Sequence, residues 1–272
     1  MNRNPFQPGR KELRGFLEGL YEVYSTRTHA RRDPVSFVYE YDVPRDAEVV
    51  GFVAAMLAYG SLVQIMASVS DALERLGEGP YAFLTGAEAG ELADAARGFT
   101  HRFVDGRQFG FLLQRLKGVL CAHGSLEACF TAHDRPAERT ILPGLRGLAA
   151  ELRGPGDRLT HLVADPRRGS ACKRWHLFLR WMVRRDEVDP GIWQGVDPAR
   201  LVVPLDTHMW RVCRGLGLTD RKTVGLKAAL EVTKGFREVS PADPVKYDFA
   251  LMHASVEDDP ALQRMLKGGA SA

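Results

Sequence analysis

The segment that begins at Ala171 predicts a helix that is apolar over most of its surface. Its large apolar side chains follow one another at helical spacing, and they are Trp175, Phe178, Leu179, Trp181 and Met182. A helix of this kind has to be covered by other elements, because little of its surface is suited to water. We therefore expect the rest of the chain to fold around this segment.

Apolar stripes at helical spacing cover much of the remaining chain, whereas alternating strand patterns are nearly absent. The segments predicted to be helical are 11–28, 46–57, 61–76, 109–120, 125–130, 140–153 and 159–165. Residues 81–95 are rich in Ala and Gly and are expected to be irregular or weakly helical, and the final LKGGASA is expected to fray. The sequence thus predicts an all-α, multi-helix protein in which residues 1–272 form one helical unit, either compact or divided into two packed lobes.

Composition sets only broad limits on function. The 272 residues are enough to bury a large core, and a hydrophobic content of 45% is ordinary for a globular protein. The net charge of +3 permits a nucleic-acid partner without requiring one. No apolar run is long enough to span a bilayer, and the start MNRNPFQPGRKELRG lacks the apolar core of a signal peptide. We therefore expect a soluble cytoplasmic protein with no membrane partner.

The cysteine and histidine spacings indicate no metal centre. Cys121, Cys129, Cys172 and Cys213 form no CxxC pair, and no histidine stands at metal-ligand spacing from a carboxylate. We expect reduced thiols, no zinc, no iron–sulfur cluster and no other cofactor. Cys172 lies near a predicted helix start, where a thiol can become more acidic, although a small buried cysteine is the simpler interpretation.

One lysine stands at the start of the central helix. Ser170 is a suitable N-cap for a helix beginning at Ala171, which places Lys173 in the first turn. The positive end of the helix dipole disfavours the ammonium form there, and so do the basic neighbours of Lys173. A neutral amine is a nucleophile, so Lys173 is a candidate catalytic residue. The alternative interpretation is a solvated lysine on a basic helix.

The same helix carries further basic residues. At about 100° per residue, Lys173, Leu177, Arg180 and Arg184 fall on one face. An electropositive strip beside a nucleophile suits a phosphate-bearing substrate. The residues predicted to contact nucleic acid are Arg167, Arg168, Ser170, Arg174, Arg180, Arg184 and His208.

A second polar residue opens the next predicted helix at Pro204–His208, which reads PLDTH. Asp206 is placed to be the N-cap of that helix, which is a sufficient structural role. The functional interpretation is a carboxylate aimed from a helix end, able to deprotonate an amine or water and to stabilise an oxocarbenium-like sugar cation. His208 is interpreted as a structural or phosphate-contacting residue rather than as a base.

These residues lie within a segment that resembles a known enzyme superfamily. PLDTHMWRVCRGLGL is similar to the Val-Asp-Thr-His…Arg-Val…Leu-Gly segment of the helix-hairpin-helix base-excision DNA glycosylases of the endonuclease III type. The resemblance implies that Gly169–Lys173 takes the place of the hairpin that precedes the catalytic lysine, and that Asp206 completes the site. It makes 165–218 the catalytic hairpin-like segment and implies two packed helical lobes with a cleft between them.

Most of residues 10–255 more closely resemble a bacterial family of unknown function. The shared motifs are SACKR, FLRWMVR, VDPGIW, PLDTH and DPVKYDFAL. The chain departs from endonuclease III in its hairpin, which is not Leu-Pro-Gly-Val-Gly-Arg-Lys, and in the absence of the iron–sulfur cysteines. The insertion RRDEVDPGIWQGVDPARLVV lengthens the spacing from Lys173 to Asp206, which is more similar to the archaeal 8-oxoguanine glycosylases.

The resemblance implies a DNA base-excision glycosylase acting as a monomer on damaged DNA, with an oxidised purine such as 8-oxoguanine as the first expected lesion. A flipped base would enter a pocket, Lys173 would attack the sugar C1′ as the base leaves, and β-elimination would nick the strand. The candidate residues of the base pocket are Tyr59, Gln64, Trp175 and Trp181. The alternatives are a non-catalytic nucleic-acid-binding protein that retains the fold, an N-glycosidase acting on RNA or free nucleosides, and a structural helical partner.

Overall fold

The structure, a computed structural model, describes residues 9–154, 159 and 161–268. Most of these residues are helical, which confirms the all-α prediction. The α-helices are α1 (Arg10–Tyr24), α2 (Arg27–Ala30), α3 (Pro44–Leu57), α4 (Leu62–Leu76), α5 (Pro80–Gly86), α6 (Ala89–Ala96), α7 (Gly106–His123), α8 (Leu126–His133), α9 (Leu142–Arg153), α10 (Lys173–Val183), α11 (Thr207–Gly215), α12 (Leu226–Val239), α13 (Asp248–Val256) and α14 (Pro260–Gly268). Across the described ranges, no helix has both the length and the apolar character that a membrane crossing requires.

The remaining regular structure is short. Strands β1 (Thr100–His101) and β2 (Val104–Asp105) pair as an antiparallel hairpin, and 3₁₀ helices occupy Pro34–Glu40, Pro166–Arg168 and Pro198–Arg200. The helix predicted at 159–165 does not form at residues 161–163, which make turns and bends, and Thr160 lies outside the described residues. In the segment predicted to fray, residues 266–268 are the helical end of α14, which contradicts the prediction there, and residues 269–272 lie outside the described residues.

Residues 81–95 are more regular than the sequence predicts, because they contain most of α5 and α6. Pro80 occupies the first turn of α5, and the side chains and backbone of Glu88 and Glu91 form a reciprocal capping box at the start of α6. Gly86 and Gly90 stand near helix ends, where glycine costs less than in a helix interior. Of the two alternatives predicted for residues 81–95, irregular or weakly helical, the structure has the helical one, because these start signals outweigh the small residues.

The central position predicted for the apolar helix is confirmed by α10. Its large apolar side chains are each at most 1% exposed: Trp175, Phe178, Leu179, Trp181 and Met182. Helix α3 covers one side, with the Phe52 ring centroid 5.7 Å from that of Trp175 and 5.5 Å from that of Phe178. A Cβ added at Gly51 would lie 2.7 Å from the terminal methyl of Met182, so a larger residue there would require the Met182 side chain to shift.

A buried carboxylate joins α3 to more distant segments. Glu48 is 3% exposed and accepts hydrogen bonds from the backbone N–H groups of Leu126 and Glu127, each at 2.8 Å. It also accepts one from Trp193 Nε1 at 2.7 Å. These bonds offset the cost of burying the carboxylate, and they tie the start of α8 and the segment after α10 to the core.

The C-terminal half of α10 contains buried ion pairs. Arg180 and Arg184 side chains are 3% and 5% exposed. Arg180 donates to Asp189 at 3.1 Å and to Asp248 at 2.5 Å. Arg184 donates to Asp189 at 2.8 Å and to Asp243 at 2.7 Å. The predicted nucleic-acid contacts of Arg180 and Arg184 are therefore wrong, because their face of α10 is covered and their charges are paired inside the protein.

One residue of α10 gives the fold a defined pH dependence. His176 is 1% exposed, and neither ring nitrogen has a hydrogen-bond partner among the described residues. Burial lowers the pKa of His176 to about 3. The folded state therefore holds this imidazole neutral, whereas the unfolded chain protonates it below its ordinary pKa of about 6.5.

We predict that His176 makes the free energy of unfolding decrease as the pH decreases. Its contribution is fully present above pH 6.5 and is lost as the pH falls toward 3, because the unfolded state then binds one more proton than the folded state. Urea unfolding of His176→Leu between pH 6 and pH 4.5 should show a slope smaller than wild type by about 1.4 kcal/mol per pH unit. Leu179→Ala, which weakens the same helix and removes no titrating group, should keep the wild-type slope. An unchanged slope in His176→Leu would contradict this assignment.

Candidate active site

The two residues predicted to form the site lie in direct contact. Lys173 Nζ donates a hydrogen bond to Asp206 Oδ2 at 2.7 Å, and each side chain is 36% exposed. Lys173 is the first residue of α10, and Asp206 immediately precedes α11. Two helix N-termini therefore bring together residues that are 33 positions apart in the sequence.

Helix α10 begins later than the sequence predicts. Ser170 does not cap it, since Ser170 Oγ accepts instead from the backbone N–H of Cys172 at 3.2 Å. Gly169 and Cys172 adopt left-handed conformations with φ of 77° and 49°. These two residues turn the chain sharply, so the helix starts at Lys173 and no side chain caps its N-terminus. A left-handed cysteine is an uncommon conformation, and its place beside Lys173 marks the turn as a constrained part of the site.

The loop before α10 is held at both ends. Asp165 Oδ1 accepts from the backbone N–H of Arg167 at 2.9 Å, which closes the 3₁₀ turn Pro166–Arg168. The Gly169 carbonyl accepts from the backbone N–H of Leu226 at 2.9 Å, at the start of α12. The loop is thus fixed against α12 and presents Lys173 in one position.

Asp206 has two separate hydrogen-bonding roles. Its Oδ1 accepts from the backbone N–H of Met209 at 2.8 Å, which confirms the predicted N-cap of α11. Its Oδ2 accepts from Lys173. Burial acts to raise the pKa of Asp206, but the Lys173 ammonium and the Met209 N–H outweigh it and hold this pKa below its usual range. The carboxylate is therefore ionised at neutral pH and is the nearest acceptor for a proton from Lys173.

Both residues line a surface pocket of about 520 Å³, here called the lysine pocket. This volume is within the range of small-molecule sites. Its walls are formed by residues 58–60, Ile65, Leu162, Ala164, 170–175, 205–207 and Val224. The pocket thus combines apolar walls with one ion pair.

Tyr59 and Arg174 form one side of the lysine pocket. The Arg174 guanidinium lies over the Tyr59 ring, 4.8 Å from its centroid. It also donates to the carbonyls of Met56, at 2.7 Å, and His161. Burial lowers the pKa of Arg174. Most of its donors therefore support the wall, while Tyr59 stands at the pocket surface as predicted.

Of the other residues predicted for the base pocket, only Trp175 lines the lysine pocket. Trp181 is fully buried behind the site and does not line the pocket, so its predicted role is wrong. Trp175 lines the pocket but is 1% exposed, with Nε1 donating to the Ala164 carbonyl at 3.0 Å, and it forms the wall rather than a stacking platform. Gln64 is exposed in the first turn of α4, outside the pocket lining.

The predicted nucleic-acid contacts other than Arg180 and Arg184 remain near the pocket. Ser170 and Arg174 line it, and Arg167 and Arg168 are exposed on the adjoining loop. His208 is exposed in the first turn of α11, two positions after Asp206. The geometry therefore leaves these residues accessible to a ligand of the lysine pocket.

Phe103 is an exposed aromatic residue near Tyr59 for which the sequence predicted no role. Phe103 is 70% exposed at the tip of the β1–β2 hairpin, and the Arg102 guanidinium lies 5.5 Å from its ring centroid and 5.9 Å from that of Tyr59. Arg102 has φ of 54°, so the hairpin tip is a tight turn with an uncommon conformation. The available signal was an isolated phenylalanine between Arg102 and Val104 in a turn-rich segment.

Cysteine and metal chemistry receive no support from the geometry of the described residues. Cys172 lines the pocket but is 4% exposed, and burial raises the pKa of its thiol, which fits the simpler interpretation of a small buried cysteine. Within the described part of the chain, no group of three or more His, Cys, Asp or Glu side chains is arranged to hold a metal ion.

We predict that the cap and the charge of Asp206 can be separated by substitution. Asp206→Asn keeps an oxygen that accepts from Met209 and should unfold within about 1 kcal/mol of wild type, because a partly exposed ion pair contributes little. Asp206→Ala loses the cap and should be less stable than Asp206→Asn by about 1 kcal/mol. Urea unfolding at pH 7 measures both variants. Equal losses in the two variants would contradict the N-cap role.

Comparison with known proteins yields one family match. No curated protein and no solved structure matches the chain. The family described as "Protein of unknown function (DUF2400)" matches residues 33–257, a range that contains both Lys173 and Asp206. The chain belongs to this family.

Proposed function

We propose that the protein is a DNA base-excision glycosylase that uses Lys173 as its nucleophile and Asp206 as the proton acceptor. The observation that carries the proposal is the 2.7 Å contact between Lys173 Nζ and Asp206 Oδ2 inside a pocket of about 520 Å³. The resemblance of PLDTHMWRVCRGLGL to the glycosylase segment supports the assignment of these two roles. The proposal includes a helix-hairpin-helix glycosylase-type fold with two lobes on either side of the pocket.

The proposed chemistry begins with a proton transfer. Asp206 takes a proton from the Lys173 ammonium, which leaves a neutral amine at the pocket surface. The amine attacks C1′ of a flipped nucleotide, and the C1′–N bond to the base breaks. The electron pair of that bond leaves with the base, which takes up a proton. Opening of the sugar at O4′, with a proton taken up by that oxygen, gives an iminium between C1′ and Lys173. Loss of a C2′ proton then expels the 3′ phosphate by β-elimination.

The position of Asp206 suits this sequence of steps. Its Oδ1 is fixed by Met209 while Oδ2 faces Lys173, so the carboxylate cannot turn away from the amine without losing the cap. Until that proton is transferred, the same carboxylate pairs with the Lys173 ammonium and holds it at the pocket surface.

Features around the pocket support a polymeric substrate. Arg167 and Arg168 are exposed on the loop that leads to Lys173, and phosphate contacts of this kind hold a nucleic-acid strand in register. Phe103, at the tip of the β1–β2 hairpin, offers an exposed aromatic face on which a base can stack. A free nucleoside would use neither feature, since it has no phosphate and no neighbouring base.

The Lys173–Asp206 spacing in the sequence favours an oxidised purine such as 8-oxoguanine as the substrate lesion, by its similarity to the archaeal 8-oxoguanine glycosylases. We further propose that residues 1–272 act as a monomer on damaged DNA in the cytoplasm. No metal or other cofactor takes part in the proposed steps.

Borohydride trapping tests the proposed function. The wild-type protein is incubated with duplexes that contain 8-oxoguanine, uracil, an oxidised pyrimidine or an abasic site, in the presence of sodium borohydride. We expect a covalent protein–DNA adduct with at least one duplex, because hydride reduces the iminium to a stable amine. The adduct should be absent with Lys173→Gln and present with Lys267→Gln, which removes an exposed lysine of α14.

Asp206→Asn provides a second control, since it keeps the cap and removes the proton acceptor. Adduct formation should slow by at least about 100-fold in this variant, which is the lower end of general-base effects. An adduct that persists in Lys173→Gln would refute the nucleophile assignment. Absence of any adduct, with salt-sensitive DNA binding retained, would refute the lysine mechanism and favour the non-catalytic binding protein.

A further inference from the structure

A second pocket is lined in part by Arg167, on the loop that leads to Lys173. It has a volume of about 490 Å³ and is here called the arginine pocket. The basic residues that line it are His133, Arg135, Arg146 and Arg167, and the acidic residue in the lining is Glu138. Arg135 belongs to the α8–α9 connection, Arg146 to α9 and Arg167 to the loop. Separate parts of the chain thus direct positive charge to one place.

The three guanidinium groups of the arginine pocket have no acidic partner among the residues that the structure describes. Arg135, Arg146 and Arg167 side chains have no hydrogen bond or ion pair in the described part of the chain. By contrast, Arg180 and Arg184 use aspartates as partners in the core. Unpaired guanidinium groups that share a pocket repel one another, and an anion bound between them removes that repulsion.

The backbone that carries Arg135 is held in place by a buried arginine. Arg200 is 7% exposed and donates to both carboxylate oxygens of Asp134, at 2.5 and 2.9 Å. It also donates to the carbonyls of Arg135, Glu138 and Thr140, at 2.9, 2.9 and 3.0 Å. The wall of the arginine pocket is therefore preorganised, which reduces the entropy lost when a ligand binds there.

The two pockets are close enough to serve one ligand. Arg167 lines the arginine pocket and Ser170 lines the lysine pocket, and these residues are three positions apart. Three residues span at most roughly 11 Å. The rise of a DNA strand is about 3.4 Å per nucleotide, so this span corresponds to at most about three nucleotides.

We propose that the arginine pocket binds a backbone phosphate of the strand whose flipped nucleotide occupies the lysine pocket, within about three nucleotides of it. The inference rests on the proposed nucleic-acid substrate and extends its interface to Arg135 and Arg146. Guanidinium groups match the phosphate oxygens with paired hydrogen bonds, and such contacts fix the register of the strand without reading its sequence.

The test is the salt dependence of DNA binding. Fluorescence anisotropy measures the Kd of a labelled duplex over a range of salt concentrations, with every protein carrying Lys173→Gln and with no borohydride present. The Arg135→Ala/Arg146→Ala variant should show a slope of log Kd against log salt that is smaller by about 0.9, the value for one phosphate contact. The control variant Arg264→Ala/Lys267→Ala removes two exposed positive charges from α14 and should keep the parent slope. Thermal unfolding followed by circular dichroism verifies that each variant is folded.

Three results would overturn the proposal. One is a folded Arg135→Ala/Arg146→Ala variant with the parent slope, and another is an equal reduction of the slope in the α14 control. The third result would identify free phosphate as the ligand. Inorganic phosphate, added at constant ionic strength, would then stabilise the parent protein but not the Arg135→Ala/Arg146→Ala variant. The salt slopes of DNA binding would be equal in the two proteins. The salt slope does not depend on bond cleavage. A reduced slope in the Arg135→Ala/Arg146→Ala variant, with no borohydride adduct, would therefore contradict the glycosylase mechanism and still support the phosphate site.

Discussion

Burial of α10 is the constraint on which the rest of the structure depends. Its apolar residues, from Trp175 to Met182, lie in the core, and its two arginines can be buried only because aspartates from later in the chain pair with them. A helix fixed so firmly along its length leaves no freedom at its start. Lys173 therefore occupies a set position at the protein surface, and the constrained turn at Gly169 and Cys172 determines where that surface lies.

The arginines of this chain divide into two groups with different roles. Arg180, Arg184 and Arg200 are buried, and their charges are balanced by carboxylates or their donors occupied by carbonyls. Arg135, Arg146 and Arg167 are exposed and share a pocket beside the loop. The first group builds the scaffold, and the second carries the exposed positive charge to which the proposed phosphate site is assigned.

The sequence predicted the helical class, the buried helix and the N-cap at Asp206, because each depends on local spacing. It also predicted the Lys173–Asp206 pair, but through the resemblance, since no local pattern brings together residues 33 positions apart.

The predictions that failed did so for physical reasons. Helical spacing placed Arg180 on the face of Lys173, but it could not show that Asp248 would cover that face. The start of α10 was misplaced because the left-handed turn at Cys172 has no residue-type signal. The arginine pocket joins α9 with two loops and could not be predicted from any one of them.

The central claim is that Lys173, and no other amine, attacks the sugar. Tandem mass spectrometry of the peptide that carries DNA after borohydride reduction tests this claim most directly, because it identifies the modified atom in the unaltered protein. We expect the modified peptide to carry a reduced sugar attached to Nζ of Lys173. Attachment to another lysine or to the N-terminal amine would contradict it, even if the protein released a base from DNA.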